Sequence, residues 1–148
     1  MALIDELPRG TRLALDTSAL IYFMEEHPRL GPVVEPVFLA ISGGIYEAVV
    51  SVISLLEVLV APLRAFRPEL AQQYRDLLTT ARGLTVIPVT VPLAEQAASI
   101  RASRNLRVPD ALIAATALAE RCTHLLANDA KFMQVVGFRT LVVSEFAQ

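Results

Sequence analysis

Arg12-Leu13-Ala14-Leu15-Asp16-Thr17-Ser18 is an apolar run that ends on a carboxylate. Residues 12–16 read as a short buried strand, and residues 18–26 behind them as a helix. Outward from this stretch the same alternation recurs. Residues 32–42 predict a helix stopped by Gly43-Gly44, and residues 45–51 (IYEAVVS) a second strand rich in β-branched residues. Residues 55–63 and 68–82 predict helices, and residues 84–89 (LTVIPV) a third strand, placed at a sheet edge by Pro88. Residues 92–105 and 109–122 predict helices with proline in the first turn. Residues 124–127 form a fourth strand, 130–136 a short helix and 139–143 a fifth strand. Strands alternating with helices predict an α/β fold with a mainly parallel five-stranded sheet flanked by helices on both faces. Such sheets bind ligands at the carboxyl ends of their strands.

Composition narrows the function classes. A chain of 148 residues suits one domain, and 54% hydrophobic with 19% charged residues excludes a disordered chain. Its one cysteine, Cys122, excludes an intrachain disulfide and a cysteine-rich zinc module, and two histidines exclude a His-rich metal site. A net charge of −2 argues against a broad cationic face. The longest charge-free stretch, residues 83–94, is far below the ~20 residues a bilayer requires. The start of the chain lacks the basic and apolar regions of a secretory signal, so a cytoplasmic location is expected.

Attention therefore falls on acids at strand ends. Asp16 closes the first strand, Glu57 lies one turn into the helix after the second, Asp110 opens a helix behind Pro109, and Asp129 follows the fourth strand. Each sits in apolar sequence, where a charge is costly unless compensated. Three have ordinary explanations. Ser54 and Glu57 fit a capping box. Asp110 suits the dipole of a helix first turn. Asn128-Asp129 can cap a helix at Ala130. Asp16 is harder to explain that way. Gathered in one cleft, four carboxylates would raise one another's pKa, and a hard divalent cation such as Mg²⁺ or Mn²⁺ would relieve the repulsion.

The segments LDTSALI (15–21), VSVISLLEVL (50–59), VPDALIAATAL (108–118) and LLANDAKF (125–132) together resemble PIN-domain ribonucleases, in particular VapC-type toxins of toxin–antitoxin pairs. The likeness runs from residue 12 to 143 in the family's order. It implies a three-layer PIN-like fold over one domain, residues 1–148; Asp16 sits further from the start than is usual in the family, which leaves residues 1–11 as either an added N-terminal arm or an overcalled start. It implies Mg²⁺ or Mn²⁺ held by Asp16, Glu57, Asp110 and Asp129, which would be the catalytic acids. Thr17 or Ser18 is expected to support Asp16, and Asn128 to support the fourth acid. The implied reaction is hydrolysis of RNA to 5′-phosphate and 3′-hydroxyl ends. The implied partners are a neutralising antitoxin and a second copy of the chain. Ala127 stands where the family often carries Thr or Ser. A PIN-like module that binds RNA without cutting it is therefore the competing reading.

Arg101, Arg104 and Arg107 recur at spacing three, which would align them on a continuous helix, with Arg104 and Arg107 as candidate RNA contacts. His27 and His124 lack ligand-spaced partners. Tyr22, Phe23 and Met24 are expected in helix core or at a dimer surface. The apolar segment 32–63 is expected to receive an antitoxin peptide or a second subunit. Phosphotransfer folds fit poorly. A haloacid-dehalogenase phosphatase needs an Asp where Ser18 stands, and no P-loop occurs.

Overall fold

The computed structural model describes residues 1–148. Five short strands, β1 (Arg12–Leu15), β2 (Glu47–Ser51), β3 (Leu84–Ile87), β4 (His124–Ala127) and β5 (Arg139–Val142), form one sheet in the order β3-β2-β1-β4-β5. Every pairing is parallel. Pro88 falls just past β3, an edge strand, where the missing N–H removes no ladder bond.

Alternation along β1 explains the layers. Leu13 and Leu15 point into one core with residues of α1 (Thr17–Met24), α2 (Gly31–Ser42), α3 (Val52–Arg64) and α4 (Pro68–Thr80). Ala14 points into a second core with Ala127, α5 (Val91–Ser103) and α6 (Val108–Ala119). A parallel sheet buried on both faces reads as continuous apolar runs, as these strands do. Within the first core Phe23 stacks on Phe38 at 4.1 Å between ring centroids, so Tyr22, Phe23 and Met24 belong to its margin. Gly83, entering β3, has φ +82°, and a Cβ there would meet Ile41 O at 2.6 Å.

Three expectations change. Helix α3 starts at Val52 rather than residue 55, because Ser51 Oγ caps it by accepting from Ile53 N at 3.2 Å. The expected short helix over 130–136 is a 3₁₀ turn, Ala130–Gln134. The basic triplet is not on one helix. The backbone turns extended at Arg104, and Arg107 is the cap of α6.

Residues 1–11 pack against the domain. A 3₁₀ turn, Leu3–Glu6, buries Leu3 and Leu7 in the first core. Tyr46 Oη donates to Leu7 O at 2.7 Å, and Glu6 pairs with Arg139 of β5 at 2.6 Å. No helix is long and apolar enough to cross a membrane.

Candidate active site

The carboxyl ends of the strands collect the acids through ordinary backbone rules. Asp16 N still bonds Leu126 O at 2.9 Å, in step with β4, and then the chain breaks from the sheet. Asp16 is the cap of α1. Its carboxylate accepts from Ser18 Oγ at 2.7 Å and from Ser18 N at 3.4 Å. Asp110 is the third residue of α6, whose first turn lies at the same end of the sheet, and it is only 7% exposed. Burial pushes the Asp16 carboxyl above its ordinary range. The Ser18 hydrogen bonds pull it back in part, and the charge of Asp110 pushes it up again. Two buried acids thus lie at the same end of the sheet, and the charge of Asp110 is felt at Asp16.

Glu57 is half-buried on α3 and accepts from Thr17 Oγ1 at 2.7 Å. Of the two hydroxyls expected beside Asp16, one is there. Ser18 holds Asp16, whereas the Thr17 hydroxyl serves Glu57. The capping box also fails. With Ser51 as the cap, Ser54 lies inside the helix, and its Oγ stands 2.8 Å from Thr17 Oγ1. Ser54 was overlooked as a site residue, although its place three residues before Glu57, on the same helix face, was a usable signal.

Asp129 caps the 3₁₀ turn, its Oδ1 accepting from Lys131 N at 2.9 Å. Asn128 braces that loop from two sides. Its Nδ2 donates to Tyr22 Oη at 3.0 Å, and its Oδ1 accepts from Ser144 N at 2.8 Å. Nothing in the sequence marked Tyr22 as a brace. The two candidate arginines differ. Arg107 Nε lies 3.3 Å from Asp110 Oδ2, with its side chain 73% exposed. Arg104 is pinned to backbone, donating from Nε to Gln134 O at 2.8 Å and from Nη1 to Ser103 O at 3.0 Å.

No three residues among His, Cys, Asp and Glu stand together tightly enough to close on one ion. The donor chemistry nevertheless fits Mg²⁺ or Mn²⁺. Mg²⁺ is commonly held by one or two carboxylates and keeps several waters, rather than sitting in an all-protein cage. The two buried carboxylates at this end of the sheet, Asp16 and Asp110, offer oxygen donors of that kind.

The PIN domain family model matches residues 13–137. Among solved structures, VapBC2 from Rickettsia felis, bound to a DNA fragment from its promoter, matches with a TM-score of 0.71 at 19% identity, over 88% of this chain and 98% of that one. VapC20 from Mycobacterium tuberculosis, a Sarcin-Ricin loop cleaving toxin, matches with 0.68 at 20% identity, over 85% and 95%. A toxin–antitoxin complex from Klebsiella pneumoniae matches with 0.67 at 22% identity, over 88% and 96%. No curated protein matches the chain. At such identities these structures speak to the fold. The family match takes in β1 to β4, from Leu13 on, and the segments that bear Asp16, Glu57, Asp110 and Asp129, and the chain belongs to the PIN domain family.

Proposed function

We propose that this chain is a Mg²⁺- or Mn²⁺-dependent endoribonuclease, the toxin of a type II toxin–antitoxin pair acting in the cytoplasm. The observation that carries the reading is the pair of buried carboxylates, Asp16 and Asp110, at the carboxyl edge of the sheet. Isolated, such a pair is a liability to the fold; it gains a purpose when a divalent cation neutralises it. Asp16 and Asp110 would hold the ion directly, and Glu57 and Asp129 are the candidate acids that would complete its shell, directly or through bound water. When bound, the ion supplies an activated water and stabilises charge during in-line displacement at phosphorus.

The chain's own part is orientation. Ser18 fixes Asp16, Thr17 fixes Glu57, and Asn128 fixes the loop that carries Asp129. The exposed guanidinium of Arg107 stands where it can pass from Asp110 to a substrate phosphate. The products are 5′-phosphate and 3′-hydroxyl ends.

An antitoxin and a second copy of the chain are the proposed protein partners. VapBC2 and the Klebsiella pneumoniae structure are toxin–antitoxin assemblies of the same fold. Leu39, Leu56, Leu63 and Phe66 are each more than half exposed on and just beyond α2 and α3, which leaves apolar surface for a partner to cover.

Incubation of the purified chain with structured RNA and Mn²⁺, with Asp16→Asn in parallel, tests the activity. Cleavage by the wild type and none by the variant is expected; equal cleavage by both would refute the assignment. The competing reading, an RNA-binding or assembly module without catalysis, draws on the absence of any three-residue metal cluster. It wins if RNA is bound and left intact.

A further inference from the structure

Ser54 is 0% exposed, the most deeply buried polar residue of the molecule. It occupies the third position of α3, in a first turn whose cap is already made by Ser51. A hydroxyl there has no helical carbonyl four residues behind it to bond. Its hydrogen-bond partner is Thr17 Oγ1, at 2.8 Å, and Thr17 in turn lies 2.7 Å from Glu57 Oε1.

Counting protons gives this chain a direction. A threonine hydroxyl has one proton and two lone pairs, and an ionised carboxylate only accepts. The Thr17 proton therefore goes to Glu57. The Thr17–Ser54 contact is then a hydrogen bond only if Ser54 donates. The order is Ser54 to Thr17 to Glu57. A hydroxyl that accepts one bond donates a stronger one. Ser54 also holds Thr17 in the rotamer that reaches Glu57. The first turn of α1 then serves two acids through consecutive hydroxyls, Ser18 to Asp16 and Thr17 to Glu57, and only the second is backed by a buried donor.

We propose that Ser54 is a positioning residue that sets Glu57 for metal binding through Thr17; this rests on the metal-dependent reading above. Binding of Mn²⁺ alone, followed on the full chain by the loss of the free-ion paramagnetic resonance signal, tests it without reference to cleavage. Outer partners of metal ligands are commonly worth 10- to 100-fold in affinity, so Thr17→Val is expected to weaken Mn²⁺ binding about 10-fold and Ser54→Ala about threefold. Thr17→Ser, which keeps the hydroxyl, is expected to bind like the wild type. Because the two residues act in series, Ser54→Ala added to Thr17→Val should cost nothing further.

Melting curves show whether each variant is folded. Should Ser54→Ala melt too low to assay, Ser54→Cys, with only a weak S–H donor, must shift affinity the same way. Wild-type affinity in folded Ser54→Ala, or losses that add in the double variant, would overturn the relay while leaving the nuclease reading intact. A wild type that takes up no Mn²⁺ would instead overturn the metal reading, and the relay with it.

Discussion

Replacing Asp16 by Asn should make the metal-free protein more stable and the nuclease inactive. In the unfolded chain an Asp titrates near its ordinary value of 3.8, whereas burial and the Asp110 charge raise it in the fold. A carboxyl raised on folding contributes stability fully below the unfolded value and loses it as pH climbs through the folded value. At pH 7.5 the wild type thus carries an ionised group that the fold disfavours. Asn keeps the capping role, since its side-chain oxygen can still accept from Ser18, and it removes the charge. Relief of one such interaction is worth about 0.5–2 kcal/mol, and for a chain of this size that is about 2–8 °C in Tm.

The assay is thermal unfolding in chelator at pH 7.5 and at steps down toward pH 4. The variant should melt higher at pH 7.5, and the gap should narrow as the wild-type carboxyl takes up its proton. Adding Mn²⁺ at 100 times its Kd should stabilise the wild type by about 2.7 kcal/mol and the variant far less, so that their order reverses. Cleavage should fall about 100-fold or more. A variant that melts below the wild type at pH 7.5, or a gap indifferent to pH, would refute the claim that Asp16 is held against its preference.

Three further outcomes are expected. Arg107→Ala should weaken RNA binding and lower its salt slope by about 1, while Arg104→Ala, already committed to carbonyls, should change neither; equal effects in a salt titration would contradict the distinction. Gly83→Ala should lose about 1–3 kcal/mol to backbone strain alone, more with the Ile41 O clash, read as a lower urea midpoint at constant m. The Cys122 thiol, 3% exposed and pushed up by burial to about 11, should resist alkylation at pH 8 in the folded protein and react once urea unfolds it.

The sheet was legible because its strands are buried on both faces. Runs such as Leu13-Ala14-Leu15 and Leu125-Leu126-Ala127 can be little else. The edge position of β3 was legible from Pro88. Boundaries set by one side chain were not. The choice between Ser51 and Ser54 as the cap of α3 turns on which hydroxyl is needed elsewhere, and Thr17, 37 residues from Ser54, decides it.

The candidate acids can be picked out by type and place, but their hydrogen-bond partners cannot. Thr17 serving Glu57, Tyr22 meeting Asn128 and Arg104 bound to Gln134 O are all contacts between distant segments, invisible to local pattern. The packing of residues 1–11 is illegible for a related reason: Leu3 and Leu7 find their core only once the sheet has formed.

The position of β4 has a consequence for synthesis on the ribosome. It lies beside β1, made more than a hundred residues earlier, and its Leu126 carbonyl receives the Asp16 amide. A nascent chain that has emerged only through α6 can bury much of one core, yet it lacks both that neighbour and Asp129. For a chain proposed to cut RNA, the last of its candidate acids thus joins the domain more than a hundred residues after the first.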